Sequence, residues 1–308
     1  MISRRWSGDW AWPSEDPAAR LEVLIPTVDR AAELAVTLAG LAGQDDPPFT
    51  VTVSDQSASS SENSPAVAAM LRVLRAQGRG VRYLVHRPRR GLAEHRQFLL
   101  DQSTAEAVLF LDDDVWLEPG MLSRLADALG VLRCGFVGAA VQGLSFLNDH
   151  RPEQRQPFEV WNAPVQPEVL RHGTPQIERM TLHNAANLTH LAGELALAPG
   201  SWLAYKIAWV GGCVLYRRDA LVACGGFDFW SRLPDRHVGE DVVAQWRVME
   251  RYGGAGILPS GAVHLEAPTT VPDRSTEAAD VVFGPAGSGV AEATRPPIPD
   301  SGPAATYP

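Results

Sequence analysis

A chain of 308 residues is long enough to bury one large core or two smaller ones. Its composition, 45% hydrophobic and 20% charged, is that of a soluble globular protein. The formal net charge of −9 argues against non-specific nucleic-acid binding, which needs basic surface to displace phosphate counterions. Cys134, Cys213 and Cys224 are an odd set without C-x-x-C spacing, so reduced thiols are expected rather than a disulfide framework or structural zinc. "MISRRWSGDWAWPSEDP" has no apolar h-region, so no secretory leader is expected. No uncharged apolar stretch approaches the roughly 20 residues of a membrane helix. The expected location is cytoplasmic, with peripheral contact at the inner face of the membrane left open.

In chain order, residues 1–20 read as an irregular arm rich in Trp and Pro. "LEVLIP" (21–26) predicts a strand stopped by Pro26, and "DRAAELAVTLAGLAG" (29–43) a helix with Leu34, Leu38 and Leu41 on one face. "FTVTVSD" (49–55), "VRYLVH" (81–86) and "AVLFL" (107–111) predict further strands. Between and after them, helices are predicted at 64–78, 91–102 and 118–130. Residues 142–205, rich in His, Asn, Gln and Pro, predict a second lobe; a helix is expected from Glu240 and a short strand at 261–266. This alternation predicts an α/β fold with a mostly parallel central sheet flanked by helices. One domain over 21–268 is expected, with a nucleotide-binding half (about 21–140) and an acceptor half (about 141–268). Beyond Pro268 the composition predicts a disordered tail, 269–308.

Ligands of such sheets bind beyond the carboxyl ends of the strands, and chemistry-bearing residues collect there: Pro26 and Thr27, Asp55, and the triplet Asp112, Asp113, Asp114. In an extended strand Asp112 and Asp114 would point together and Asp113 away. Such a pair suits a hard divalent cation, Mg2+ or Mn2+, or else a solvated acidic turn ahead of a helix. "HRPRRGLAEHRQ" sets Arg87, Arg89, Arg90 and Arg96 around a strand–helix turn, fit for a diphosphate or simply for solvent. Glu240 and Asp241 open a helix, where one of them could be a general base or both could be ordinary N-terminal acids. Asp241 and Gln245, four apart, share a helix face. His264 is a third metal ligand or a structural histidine, and Trp202, Trp209 and Trp230 are core unless Trp202 lines an acceptor pocket. The D-x-D-x-Thr/Val pattern of dehalogenase-like phosphatases fails at Trp116, and neither a P-loop nor a G-x-G-x-x-G fingerprint is present.

Taken together the segments resemble the GT-A glycosyltransferases, in particular the large family two. "LIPTVDR" is similar to its opening strand and turn, "VTVSDQSASSS" to its V-x-D-D-G-S-x-D segment, and "LFLDDDVWLEPG" to its metal motif. "RRGLAEHRQ", "VGGCVLYRRDALVACGGFD" and "GEDVVAQWRVMERYG" follow in the family's order, and the resemblance spans about 21–266. Gln56 replaces the second acid, the Ala-Arg-Asn ending is missing, and Gln245-Trp246-Arg247 is not the Q-x-x-R-W of processive synthases.

The resemblance implies a non-processive transferase of the hexosyltransferase type. It would move one sugar from a UDP-, GDP- or dTDP-sugar to a small-molecule, lipid-linked or glycan acceptor, with inversion. It places Pro26, Thr27, Asp55, Arg89, Arg90, Asp112 and Asp113 at the donor, and Asp112, Asp114 and His264 at Mg2+ or Mn2+. Asp241 would be the base with Glu240 its partner, and Trp202, Gly211 and Gly212 would border the acceptor. A sugar nucleotidyltransferase and a non-catalytic nucleotide-sugar-binding homologue are the alternatives.

Overall fold

The computed structural model describes residues 7–11, 19–198 and 200–285. Eight strands form the main sheet: β1 (Leu21–Thr27), β2 (Phe49–Asp55), β3 (Val81–Val85), β4 (Ala107–Leu111), β6 (Phe136–Gly138), β8 (Leu203–Tyr205), β9 (Cys213–Arg217) and β10 (Gly254–Leu258). Their order is β3-β2-β1-β4-β9-β6-β10-β8. The pairings are parallel from β3 to β4, whereas β9 runs antiparallel to both β4 and β6. The sheet is therefore mixed in its second half, because β9 re-enters from the far end after the 142–205 lobe. A smaller sheet, β5-β11-β7, joins β5 (Val115–Leu117), β11 (Ala262–His264) and β7 (Gln142–Gly143).

The helices are α1 (Ala31–Ala42), α2 (Pro65–Ala76), α3 (Leu92–Asp101), α4 (Met121–Leu132), α5 (Asn187–Leu195), α6 (Arg218–Ala223), α7 (Glu240–Tyr252) and α8 (Ala278–Phe283). They cover both faces, and the strands' period of two sorts the core accordingly. Val23, Ile25, Leu109, Leu111 and Leu215 pack with α1, α2 and α4. Leu24, Val108, Phe110, Val214 and Tyr216 pack with α3, α5 and α7 on the other side. Full burial of each such side chain stabilises by about 1.5–3 kcal/mol, so a sheet covered on both faces holds its strand ends rigidly.

Two expectations change, the stop at Pro26 and the start of the tail. Strand β1 runs through Pro26 to Thr27; β4's pairing with β1 ends at Leu24–Phe110, and past it a residue without an N–H is tolerated. The 142–205 lobe is built largely of 3₁₀ turns, with α5 its one α-helix among the described residues. Residues 269–285, expected within the disordered tail, pack on the domain: Glu277 bridges Val238, and Ala278 and Ala279 are buried. The rest of that tail, 286–308, and most of the arm lie outside the described residues. Among the described residues no helix is long and apolar enough to cross a membrane.

Candidate active site

The ends of β1, β2 and β4 meet because Thr27 is in register with Asp55 and β4 lies on β1's other side. Asp55 caps the loop that follows β2: it accepts from the Ser57 and Ser61 N–H groups at 2.7 Å each and from the Tyr83 hydroxyl at 2.6 Å. Burial works to raise its pKa, but the hydrogen bonds from Ser57, Tyr83 and Ser61 hold the carboxyl below its ordinary value. Both its oxygens thus serve the loop.

The aspartate triplet does not follow strand alternation. Strand β4 ends at Leu111 and Asp113 and Asp114 sit in a turn into β5, so the period of two no longer applies. Asp113 and Asp114 both meet Arg30, at 3.1 and 2.7 Å, and Asp113 also accepts from Thr27 Oγ1 at 2.7 Å. Asp112 turns elsewhere, to Arg96 Nη2 at 2.9 Å. The same guanidinium donates through Nε to Glu240 at 3.0 Å. One buried arginine on α3 thereby ties the end of β4 to the start of α7. Burial, together with the neighbouring Asp114, pushes the Asp113 carboxyl up to about 7 against the pull of Thr27 and Arg30. Asp114 is raised by burial and by the charge of Asp112.

Register in the small sheet sets His264 opposite Val115, which brings its Nε2 within 3.4 Å of Asp114 Oδ2. Asp112 and Asp114, close enough that the charge of the first raises the second, beside an imidazole nitrogen, are a donor set that fits Mn2+ or Mg2+. It is not a preformed cage: among the described residues no three His, Cys, Asp or Glu side chains already cluster to hold an ion. Arg30 would have to release Asp114.

Segment 209–212 connects this corner to the other acid. Gly212 O accepts the Asp112 N–H at 2.9 Å, and its φ of +75° suits glycine. The indole of Trp209 donates to Asp241 Oδ2 at 2.7 Å. Burial pushes the Asp241 carboxyl up to about 7, with Glu240 adding to the rise and Arg96 and the indole opposing it. As expected from the spacing, Gln245 faces the same way as Asp241 and grips Val210, donating to its carbonyl at 2.7 Å and accepting its N–H at 2.9 Å.

Trp202 is not brought here, since its indole donates to Asp127 on α4, and the tryptophan that meets the acids is Trp209. Arg89 reaches the carbonyl of Thr270 at 3.2 Å, while Arg90 is exposed on the turn. Beside Arg89 opens a cavity of about 410 Å³, lined among others by Val28, Gln56, His95, His237 and Thr270. The buried Gln56 Nε2 has no hydrogen-bond partner. Sequence reasoning missed Arg30 and Trp209 and left Arg96 as one of four turn arginines; the available signal for Arg30 was a cation just past β1, at the strand end where Asp113 and Asp114 also collect.

A half-parallel sheet flanked by helices, with acids and arginines gathered beyond β1, β2 and β4, is the arrangement of the GT-A fold. The sequence model described as "Glycosyl transferase family 2" matches residues 22–191, and the chain belongs to that family. No curated protein matches it. Among solved structures it is similar to S. aureus TarS 1-349 in complex with UDP-GlcNAc (15% identity, 82% of this chain and 60% of that one, TM-score 0.53). It is also similar to the mannosyltransferase PcManGT from Pyrobaculum calidifontis in complex with GDP-Man and Mn2+ (18% identity, 86% and 64%, TM-score 0.52). At these identities the likeness establishes the fold, and the chain spans less than two thirds of either structure's chain.

Proposed function

We propose that this chain transfers a single hexosyl group from a nucleoside-diphosphate sugar to an acceptor hydroxyl, with inversion, and that Asp241 is the base. The observation that carries the reading is the frame joining two acids of different task. Asp112 is tied to Gly212, Asp241 to Trp209, and Arg96 links Asp112 to Asp241's neighbour Glu240. In this reading one acid serves the leaving group and the other the incoming hydroxyl. A carboxylate near 7 is matched to taking a proton at neutral pH.

In the reaction Asp241 accepts the acceptor hydroxyl's proton as that oxygen bonds the anomeric carbon. The bond from that carbon to the phosphate oxygen breaks, and the nucleoside diphosphate leaves. Arg89 stands beside the donor cavity, where a guanidinium can pair with phosphate oxygens. Asp112, Asp114 and His264 are the residues that would hold Mn2+ or Mg2+, which when bound supplies Lewis-acid stabilisation of the leaving group's charge. The order Gln245-Trp246-Arg247, unlike that of processive synthases, supports transfer of one sugar. A second reading, a donor-binding homologue without turnover, is favoured by Arg30's hold on Asp113 and Asp114.

The test is a thermal-shift screen of UDP-, GDP- and dTDP-sugars with and without Mn2+, followed by product analysis. A matching donor at a hundredfold excess over Kd should raise Tm by about 5–10 °C. It should release nucleoside diphosphate and give a product of inverted anomeric configuration by NMR. Pyrophosphate release would show nucleotidyl transfer instead, and binding without release would favour the second reading. Asp114→Ala should abolish the Mn2+-dependent part of the shift.

A further inference from the structure

The indole of Trp209 is held in a built setting. Its backbone neighbours are fixed to α7, the helix that begins with Glu240 and Asp241: Gln245 grips Val210 on both sides of its peptide, and the Trp246 indole donates to Ala208 O at 2.9 Å. Room for the ring comes from Gly211, where a Cβ would lie 2.6 Å from Trp209 Cζ2. From the acceptor lobe the ring of His183 lies against it, centroids 5.7 Å apart, and burial holds that imidazole neutral by lowering its pKa to about 4. Gly211 and His183 thus flank the ring whose N–H meets Asp241.

We propose that Trp209 is a positioning residue for the transfer base: its indole N–H fixes Asp241 toward the acceptor and favours its ionised form. The proposal rests on the reading of Asp241 as that base. Other groups act on the same carboxyl. Glu240 and Asp112 favour its neutral form and Arg96 its charged form, and the Tyr216 hydroxyl feels Asp241's charge. The indole is the neutral side chain that donates to the carboxyl directly, on Oδ2, while the Val242 N–H meets Oδ1 at 2.9 Å. A hydrogen bond to a charged partner away from water carries more weight than one between neutral groups.

Trp209→Phe keeps the ring and removes the N–H. At pH 7 kcat should fall about tenfold or more, with the donor KM within about twofold of wild type. The acid limb of the kcat–pH profile should move to higher pH, so that activity partly recovers at pH 9. A uniform fall at every pH, with the limb unmoved, overturns the proposal and leaves Trp209 a packing residue. A readout independent of turnover is the carboxyl 13C titration of Asp241, assigned by its loss in Asp241→Asn. Its midpoint should rise in Trp209→Phe, and in Gly211→Ala, which crowds the indole without deleting it; an unmoved midpoint in both overturns the proposal. If wild type transfers no sugar at all, the proposed function fails, while this titration still decides the contact.

Discussion

The acids at this end of the sheet differ in what meets their charge. Asp55 collects three donors and stays ionised below its ordinary range, whereas Asp241, buried beside Glu240, is pushed up to about 7. A raised carboxyl contributes to stability below its unfolded value near 4 and loses that contribution as pH rises through the folded value near 7. Asp241→Asn removes this disfavoured charge and keeps an oxygen for the indole. Its Tm at pH 8 should equal or exceed that of wild type, while sugar transfer falls by about a hundredfold or more. Transfer within tenfold of wild type would remove Asp241 as the base, and because the fold is not weakened, a loss cannot be put down to unfolding. Wild-type kcat/KM should in turn rise with pH through about 7 as Asp241 ionises.

Elements were more legible than the bonds between them. Strand–helix alternation with apolar runs such as "LEVLI" and "AVLFL" predicted β1, β2 and β4 as parallel strands of one sheet, and hence the clustering of Thr27, Asp55 and the aspartate triplet at one end. The partners of those acids were not legible, since Arg30 meets Asp114 across 84 positions and Arg96 meets Glu240 across 144. Such pairs are chosen by topology, on which local periodicity is silent. The same limit made Trp202 and Trp209 indistinguishable, because an aromatic at an apolar position does not announce where its N–H will point. Arg96 shows what an element-to-element bond is worth. Its loss strands Glu240, which is 3% exposed, without its counter-ion. Arg96→Ala should therefore lower unfolding stability by about 3–5 kcal/mol, measured by urea denaturation. Arg96→Lys, which keeps the charge but not the fork, should cost less. Equal losses in the two would mean that packing, not charge, makes this joint.

At the scale of the whole molecule, the carboxyl-terminal segment closes the structure over its own site. Arg30 donates to Pro268 O and Arg89 to Thr270 O, so the chain crosses beside the cavity next to Arg89. It then pairs with the loop ahead of α7: the Val238 N–H donates to Thr276 O at 3.0 Å and Ala278 N–H to Val238 O at 2.9 Å. Helix α8 finally seats Ala278 and Ala279 in the core and sets Phe283 against Trp246, centroids 5.9 Å apart. The small residues that made 269–285 read as tail are what allow this close approach. Burial of two alanines and part of a phenylalanine should stabilise by about 2–4 kcal/mol. Truncation after Arg274, and Ala279→Arg in the full chain, should therefore each lower Tm by about 5–10 °C. Trp246 also fixes Ala208 beside Trp209, so both changes should slow transfer more than they weaken donor binding. A truncated chain that melts within 2 °C of the full one, with kcat unchanged, would show that α8 neither braces α7 nor steadies the base.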